Sequence, residues 1–301
     1  MPEDSLNDAP QQRARKAFID LVAGEDASIN LARAALLFAL EEYPQLDIEC
    51  YLKQLDLLAA RVRKVLGLDE LELESGTLTQ LPNDIDLLKV IDAMNLVLFE
   101  QEHFQGNQDD YYNPSNSFLN DVLENHRGIP ITLSLLYMEV GRRIGLQLEG
   151  IGLPFHFVVR CRLPNEDIYI DPFEKGRLLS DKDCRERINR LFRHKVHFDP
   201  HWLEPVSQRQ ILVRMLANLK NIYINQEDYV RALSICDRIL LLVPNAPLER
   251  RDRGIVHFHL KHYARALQDL TAYVEHAPKD EDTSDVRQQI KAIRQMIALM
   301  N

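Results

Sequence analysis

The chain has 301 residues, of which 46% are hydrophobic and 27% charged, and its formal net charge is −10. That length accommodates two ordinary domains, and the composition excludes a disordered chain. The acidic balance argues against general nucleic-acid binding, which needs a basic footprint to displace counterions.

From the N-terminus, "MPEDSLNDAPQQ" is polar and acidic and carries no signal-peptide pattern, so a cytoplasmic address is expected. No apolar run reaches the roughly 18 residues of a membrane span. The longest, "LARAALLFALEEY", is broken by Arg33 and then by glutamates. Residues 13 to 66 read as helices. "RKAFIDLVAG" ends at a glycine, "SINLARAALLFALEEY" follows a Ser28 cap, and "DIECYLKQLDLLAARVRKVLG" stops at Gly67. A further helix is predicted over about 85 to 102, then a loop dense in turn formers, "FQGNQDDYYNPSNS".

The stretch "NHRGIPITLSLLYMEVGRRIG" gives a glycine turn and a helix. "LEGIGLPFHFVVRCRL" and "EDIYIDPF" then alternate as strands around the turn "PNED", the first bearing His156 and the second ending at Asp171. Residues 1 to 200 therefore predict an α+β layout, mostly helical, with a small antiparallel sheet. Cys50, Cys161, Cys184 and Cys236 form no C-x-x-C pair, which fits reduced, mostly buried thiols. The basic run "CRERINRLFRHKVHF" is a solvated helix face or a local anionic contact. "FDPHWLEPVS", with Trp202 packed, is read as a junction rather than a flexible linker.

From 207 to 301 the helical pattern returns and repeats. Tyr229, Ala232, Leu233 and Pro244 recur as Tyr263, Ala266, Leu267 and Pro278, a period of 34. That is the tetratricopeptide period, giving units over about 213–246 and 247–280. Leu219, Tyr223 and Gly254 fall on signature positions, whereas Lys220 replaces the usual glycine and His257 the usual tyrosine. "TSDVRQQIKAIRQMIALM" is the capping helix, starting at Thr283 or Ser284. In this register Arg214, Asn218, Asn221, Asn225, Arg251 and His259 face the concave groove, where they suit a protein or peptide partner, unless the chain's own N-terminal domain fills that groove.

A helix start, a histidine and an aspartate in that order suit a cysteine hydrolase, in which the helix dipole activates a thiolate and the carboxylate orients the imidazole. Residues 128 to 172 resemble the transglutaminase-like (papain-like) core, aligning at Gly128, Pro130, Arg142, Gly145, His156 and Asp171. The resemblance implies a core of about 106–175. It places the catalytic histidine and aspartate at His156 and Asp171, and the nucleophilic cysteine at Pro130. With "FQGNQDDYYNPSNSFLNDVL", "HRGIPITLSLLY", "GLPFHFVV", "IDPF" and the repeats, the chain is similar to the bacterial SirB-type proteins, a family with no settled activity.

Proline offers no nucleophile and suits the first turn of a helix. Thr132 or Ser134 could substitute, or bond locally and pack. His156 and Asp171 could activate water, or pin the sheet as a buried pair, and in either case line a cleft at the helix start. Asn107, Asp110, Tyr111, Tyr112, Asn116 and Ser117 would form the cleft wall with Pro130, while Asn116 and Ser117 could cap the helix "FLNDVL". The histidines His194, His197, His201, His257, His259 and His262 match no zinc pattern, and no nucleotide motif is present, so no metal or cofactor is expected. Two functions remain: a non-catalytic interaction scaffold, or a peptidase, amidase or acyl-transfer enzyme using His156 and Asp171 with a hydroxyl or water.

Overall fold

Short polar side chains set where the N-terminal helices begin. In the computed structural model, which describes residues 10–68, 77–78, 80–163, 166–193, 195, 197–277 and 282–300, α1 spans Pro10–Val22, α2 Leu31–Ala39, α3 Ile48–Leu66 and α4 Leu87–Asn95. Asn30 caps α2 by accepting from the Arg33 amide, Asp47 caps α3 through Glu49 and Cys50, and Asp86 caps α4 through Leu88. Each satisfies donors that the first turn leaves orphaned. Ser28 does not cap α2. It closes a 3-10 turn over Asp26–Ser28 and donates to the Glu25 carbonyl. The helix also ends earlier than its pattern suggests, because Pro44 disfavours helical geometry at Tyr43. Gly67 terminates α3 as expected, with φ +68° and its amide returned to the Arg63 and Lys64 carbonyls.

A π-helical turn, Leu96–Gln101, extends α4. β1, Gln105–Gly106, pairs in parallel with β2, Arg127–Gly128, around α5, Leu119–Asn125. α6, Pro130–Arg143, is buried along almost its whole length and packs against α2, α3 and the main sheet. That sheet is antiparallel, in the order β3 (Glu149–Ile151), β4 (Val158–Arg162), β5 (Asp167–Asp171) and β6 (Arg177–Leu179), and is followed by α7, Asp181–Leu191. The α+β, mostly helical class is as expected, with two corrections. β6 lacks the alternation that marks a strand. His156 lies in the turn before β4, not on the strand. Pro154 cannot join a ladder, Phe155 is left-handed at φ +55°, and the His156 amide bonds to the Leu153 carbonyl.

The "FDPHWLEPVS" segment is tied to the sheet edge, since the Val206 amide bonds to the Gly150 carbonyl and Pro205 bridges Ile151. Trp202 packs on the cluster of Ile151, Leu153, Val158, Tyr169 and Ile188. Gly176 ties α4 and α6 to the end of β5. Its amide bonds to the Asp171 carbonyl, Asn95 donates to its carbonyl at 3.1 Å, and the Tyr137 hydroxyl holds the Asn95 oxygen at 3.1 Å.

Residues Met1–Leu212 and Val213–Asn301 form two units, the boundary falling within α8, Gln208–Asn225. α9 (Tyr229–Leu242), α10 (Pro247–His259), α11 (Tyr263–His276) and α12 (Ser284–Met300) complete the second. Ala232 and Ala266 are fully buried, and a Cβ on Gly254 would meet Leu270 at 2.8 Å, so close helix approach sets these small residues. Leu219 and Tyr223 are buried, and α12 covers Leu270 and Tyr273 with Ile290 and Ile293. Pro278 lies outside the described residues. Lys220, in the glycine position, is buried and pairs with Glu249 at 2.7 Å and Asp252 at 2.6 Å. Burial opposes its charge, but the two carboxylates outweigh it and hold the ammonium above its ordinary range.

His257, in the tyrosine position, is buried with its Nδ1 3.3 Å from that of His262. Burial holds its imidazole below the ordinary value, Arg253 and His262 add to the depression, and Asp269 opposes it.

Two outcomes follow from this packing. A Cβ at residue 176 would fall 2.1 Å from the Asn95 oxygen at φ +75°, so Gly176→Ala is expected to cost about 2 kcal/mol or more in urea denaturation. The folded state resists the proton that an unfolded His257 accepts. Its contribution is therefore complete above the unfolded value of 6.5 and is lost as pH falls through the depressed folded value. His257→Phe is expected to lose less stability than wild type between about pH 7.5 and pH 5.5, read by the same denaturation.

Candidate functional site

Asp171 ends β5 and uses both carboxylate oxygens. Oδ1 accepts from the amides of Phe173 and Glu174 at 3.1 and 3.3 Å, capping a 3-10 turn over Pro172–Glu174. Oδ2 lies 2.7 Å from His156 Nε2, and the Arg187 guanidinium of α7 stands 3.7 Å from the same oxygen. The His156 and Asp171 side chains are 4% and 1% exposed. Phe173 sets its edge against the His156 ring at 6.1 Å and meets Tyr111 at 6.2 Å. Gly106 makes room for Phe173, since a Cβ there would lie 2.6 Å from the ring.

A carboxylate-oriented imidazole is the base half of a nucleophilic relay. The residues considered for the other half lie in α6 and among the cysteines. Pro130 is the buried first residue of α6 and presents no heteroatom on its side chain. Thr132 is fully buried. Its hydroxyl accepts from the Ile129 amide at 3.1 Å and donates to the Asn116 carbonyl at 2.7 Å, so it serves the helix start. Ser134 is also fully buried and donates to the Phe157 carbonyl at 3.5 Å. Burial pushes the Cys161 and Cys184 thiols up to about 11 and about 12, away from the reactive thiolate. Cys50 is exposed on α3, and Cys236 lies in the second unit.

The loop before α5 is held by its own amides. Asn107 donates to the Asn116 side-chain oxygen at 3.0 Å and accepts from the Asp110 amide, and Asn116 donates to the Asp110 and Tyr111 carbonyls. These bonds form the turn. Neither Asn116 nor Ser117 caps α5, whose N-cap residue is Phe118 with no side-chain bond. Asn107, Asn116, Ser117 and Pro130 are buried, Tyr111 packs on Phe173, and Tyr112 is exposed. A cavity of about 300 Å³ beside Phe173 is lined by Gln105, Gly106, Gln108, Asp109, Arg127, Glu174 and Lys175, and by none of the residues expected to wall a cleft. His156 and Asp171 do not line it either. Phe173 and Arg187 are the site neighbours that residue-type reasoning passes over. The motif "IDPF" and the basic run contain them, but only folding brings them to the pair.

In the second unit Asn221 and Asn225 are exposed on α8, with Arg214 and Asn218 half-buried. Arg251 pairs with Asp252 and lies over the Tyr273 ring at 5.7 Å, while the exposed His259 stacks on Tyr229 at 4.2 Å. Among the described residues, no group of three His, Cys, Asp or Glu side chains is placed to hold a metal, and no helix is long and apolar enough to cross a membrane. His194 lies outside the described residues. Thr132→Val, which keeps the shape but leaves the Ile129 amide only its longer 3.4 Å bond to the Asn116 carbonyl, is expected to lower stability by about 1–3 kcal/mol, whereas Thr132→Ser retains most of it, both read by urea denaturation.

Residues 49–217 match the transglutaminase-like superfamily, and residues 219–297 match a tetratricopeptide repeat. A UPF0162 protein of Xylella fastidiosa (strain 9a5c) is 36% identical over 270 residues, covering 89% of this chain and 91% of its own. A UPF0162 protein of Vibrio cholerae is 32% identical over 203 residues, 66% of this chain and 74% of its own. Human F-box only protein 21 is 38% identical over 139 residues, 44% of this chain and 21% of its own. A solved structure of menin aligns with 90% of this chain and 71% of its own at 10% identity and a TM-score of 0.39, a likeness too loose to carry an argument. The superfamily match over more than half of the chain and the near full-length likeness to the Xylella protein agree: this chain belongs to the UPF0162 family of transglutaminase-like proteins with a tetratricopeptide tail.

Proposed function

We propose that this protein is a non-catalytic interaction scaffold of the SirB type, holding a protein or peptide partner with its transglutaminase-like domain and its repeat groove. The observation that carries the reading is Pro130 at the start of α6, where the resemblance requires a nucleophile. The hydroxyls that could replace it support the same reading, because Thr132 serves the helix start and Ser134 is buried against the Phe157 carbonyl. The His156–Asp171 pair then acts as architecture. On the repeat side, exposed Asn221 and Asn225 on one face of α8 suit hydrogen bonding to an extended partner backbone. The reading includes a cytoplasmic address, which four unpaired cysteines support.

A second reading, a hydrolase or acyl-transfer enzyme, rests on one observation. The imidazole and carboxylate keep a 2.7 Å contact that could orient a base for water. Full-length wild type and His156→Ala, each checked for folding by circular dichroism, are used as baits in native lysate. The scaffold reading expects the same partner on both. If His156→Ala retains a protein that wild type releases with an altered mass, the site is catalytic. If neither bait holds a partner above the bead control, the interaction reading fails.

A further inference from the structure

Phe155 sits immediately before His156 and is 79% exposed. Its backbone is left-handed, at φ +55°, a conformation disfavoured for a bulky residue. An exposed ring contributes little to the core, so the fold itself gains little from a phenylalanine held this way. The ring is also not isolated. It lies 6.4 Å from Phe192, which stacks on Trp202 at 6.1 Å and 18°, and Phe192 and Trp202 both pack against the sheet cluster. An aromatic ladder thus runs from the core to the surface beside the His156–Asp171 pair.

The segment that carries Phe192 is basic. Arg187, on α7, is partly exposed and reaches toward Asp171, while Arg190 and Arg193, on either side of Phe192, are exposed. Between residues 185 and 195 the sequence carries five basic residues, Arg185, Arg187, Arg190, Arg193 and Lys195, against one acidic residue, Glu186. Arg185 lies over the Phe198 ring at 4.1 Å, and Arg190 donates to the Glu186 carbonyl of its own helix at 3.4 Å. This basic island stands in a chain of net charge −10.

We infer that Phe155 and Phe192, rimmed by Arg187, Arg190 and Arg193, dock an acidic peptide segment that carries an apolar or aromatic anchor. The anchor packs on the exposed ring, and its flanking carboxylates meet the guanidinium groups, for which planar bidentate pairing is available. A short peptide keeps its charge within the island. A long polyanion would extend beyond the Debye length of about 8–10 Å into the acidic remainder of the surface, which favours a peptide over a nucleic acid. The inference rests on the interaction reading and gives that partner a chemistry.

The test is selection of random peptides of about 12 residues, displayed on phage, against the full chain. Fluorescence polarisation of the enriched peptides then compares wild type, Phe155→Gly and the double variant Arg190→Glu/Arg193→Glu. Enriched peptides are expected to place Asp or Glu around an apolar or aromatic residue. Phe155→Gly should weaken binding about tenfold or more while melting at or above the wild-type temperature, because glycine accepts the positive φ. The double variant should weaken binding to a similar extent and flatten its salt dependence. Peptides that bind both variants as they bind wild type would overturn this surface while leaving the interaction reading intact. Failure to enrich any peptide would overturn the inference, and the lysate capture decides the broader reading separately. A single-stranded uridine oligomer that bound more tightly through the same residues would reassign the surface to nucleic acid. Dimerisation lost in Phe155→Gly would reassign it to a second copy of the chain.

Discussion

The Asp171 carboxylate is the constraint around which the first unit is arranged. One oxygen fixes the turn that ends β5, and the other fixes His156 in the turn that begins β4. With both partners out of water, each bond is stronger than it would be on the surface, and losing one would leave a buried polar group unpaired. The backbone of the same residue receives the Gly176 amide, and Asn95 and Tyr137 connect Gly176 to α4 and α6. Helices and sheet therefore meet at the pair whether or not it performs chemistry.

The start of α6 is built from a proline and a threonine that serve the helix itself. Proline fits the first turn, where its missing amide costs nothing, and Thr132 supplies the hydrogen bond that the turn needs. Asn116 joins this arrangement through its carbonyl, and its side chain closes the preceding loop. The Thr132 hydroxyl and the Asn116 amide are thus engaged with the backbone. The fold carries over from the superfamily, whereas activity depends on the particular groups at the site.

The repeat unit departs from its signature twice, and each departure has a structural counterpart. Lys220 in place of glycine brings an ammonium into a buried position, where Glu249 and Asp252 neutralise it. His257 in place of tyrosine keeps an aromatic ring in the core but introduces a titratable nitrogen beside His262. The first exchange links α8 to α10 by ion pairs, and the second makes the packing sensitive to acid.

Much of this architecture was legible in the sequence. The period of 34 gave the repeats, because small residues must recur wherever paired helices approach closely, as buried Ala232 and Ala266 do. The order of helix, His156 and Asp171 gave the pair, and Pro130 gave the helix start. Gly67 gave a helix end through local backbone geometry alone. Other features depended on three-dimensional contacts that no local pattern encodes. Asn116 could cap the next helix or form a turn, and its bonds to the Asp110 and Tyr111 carbonyls, with its own carbonyl accepting from Thr132 of α6, decided the matter. Phe173 became a neighbour of His156 only when the Asp171 turn folded back onto Gly106. Arg187 and Phe192 reached the same surface because α7 packs against the sheet. The sequence by itself determined the elements and the proline that opens α6, since periodicity, glycine geometry and side-chain chemistry act locally. Tertiary structure alone decided which side chains were consumed by the fold and which were left at the surface, because that outcome depends on packing between segments distant in the chain.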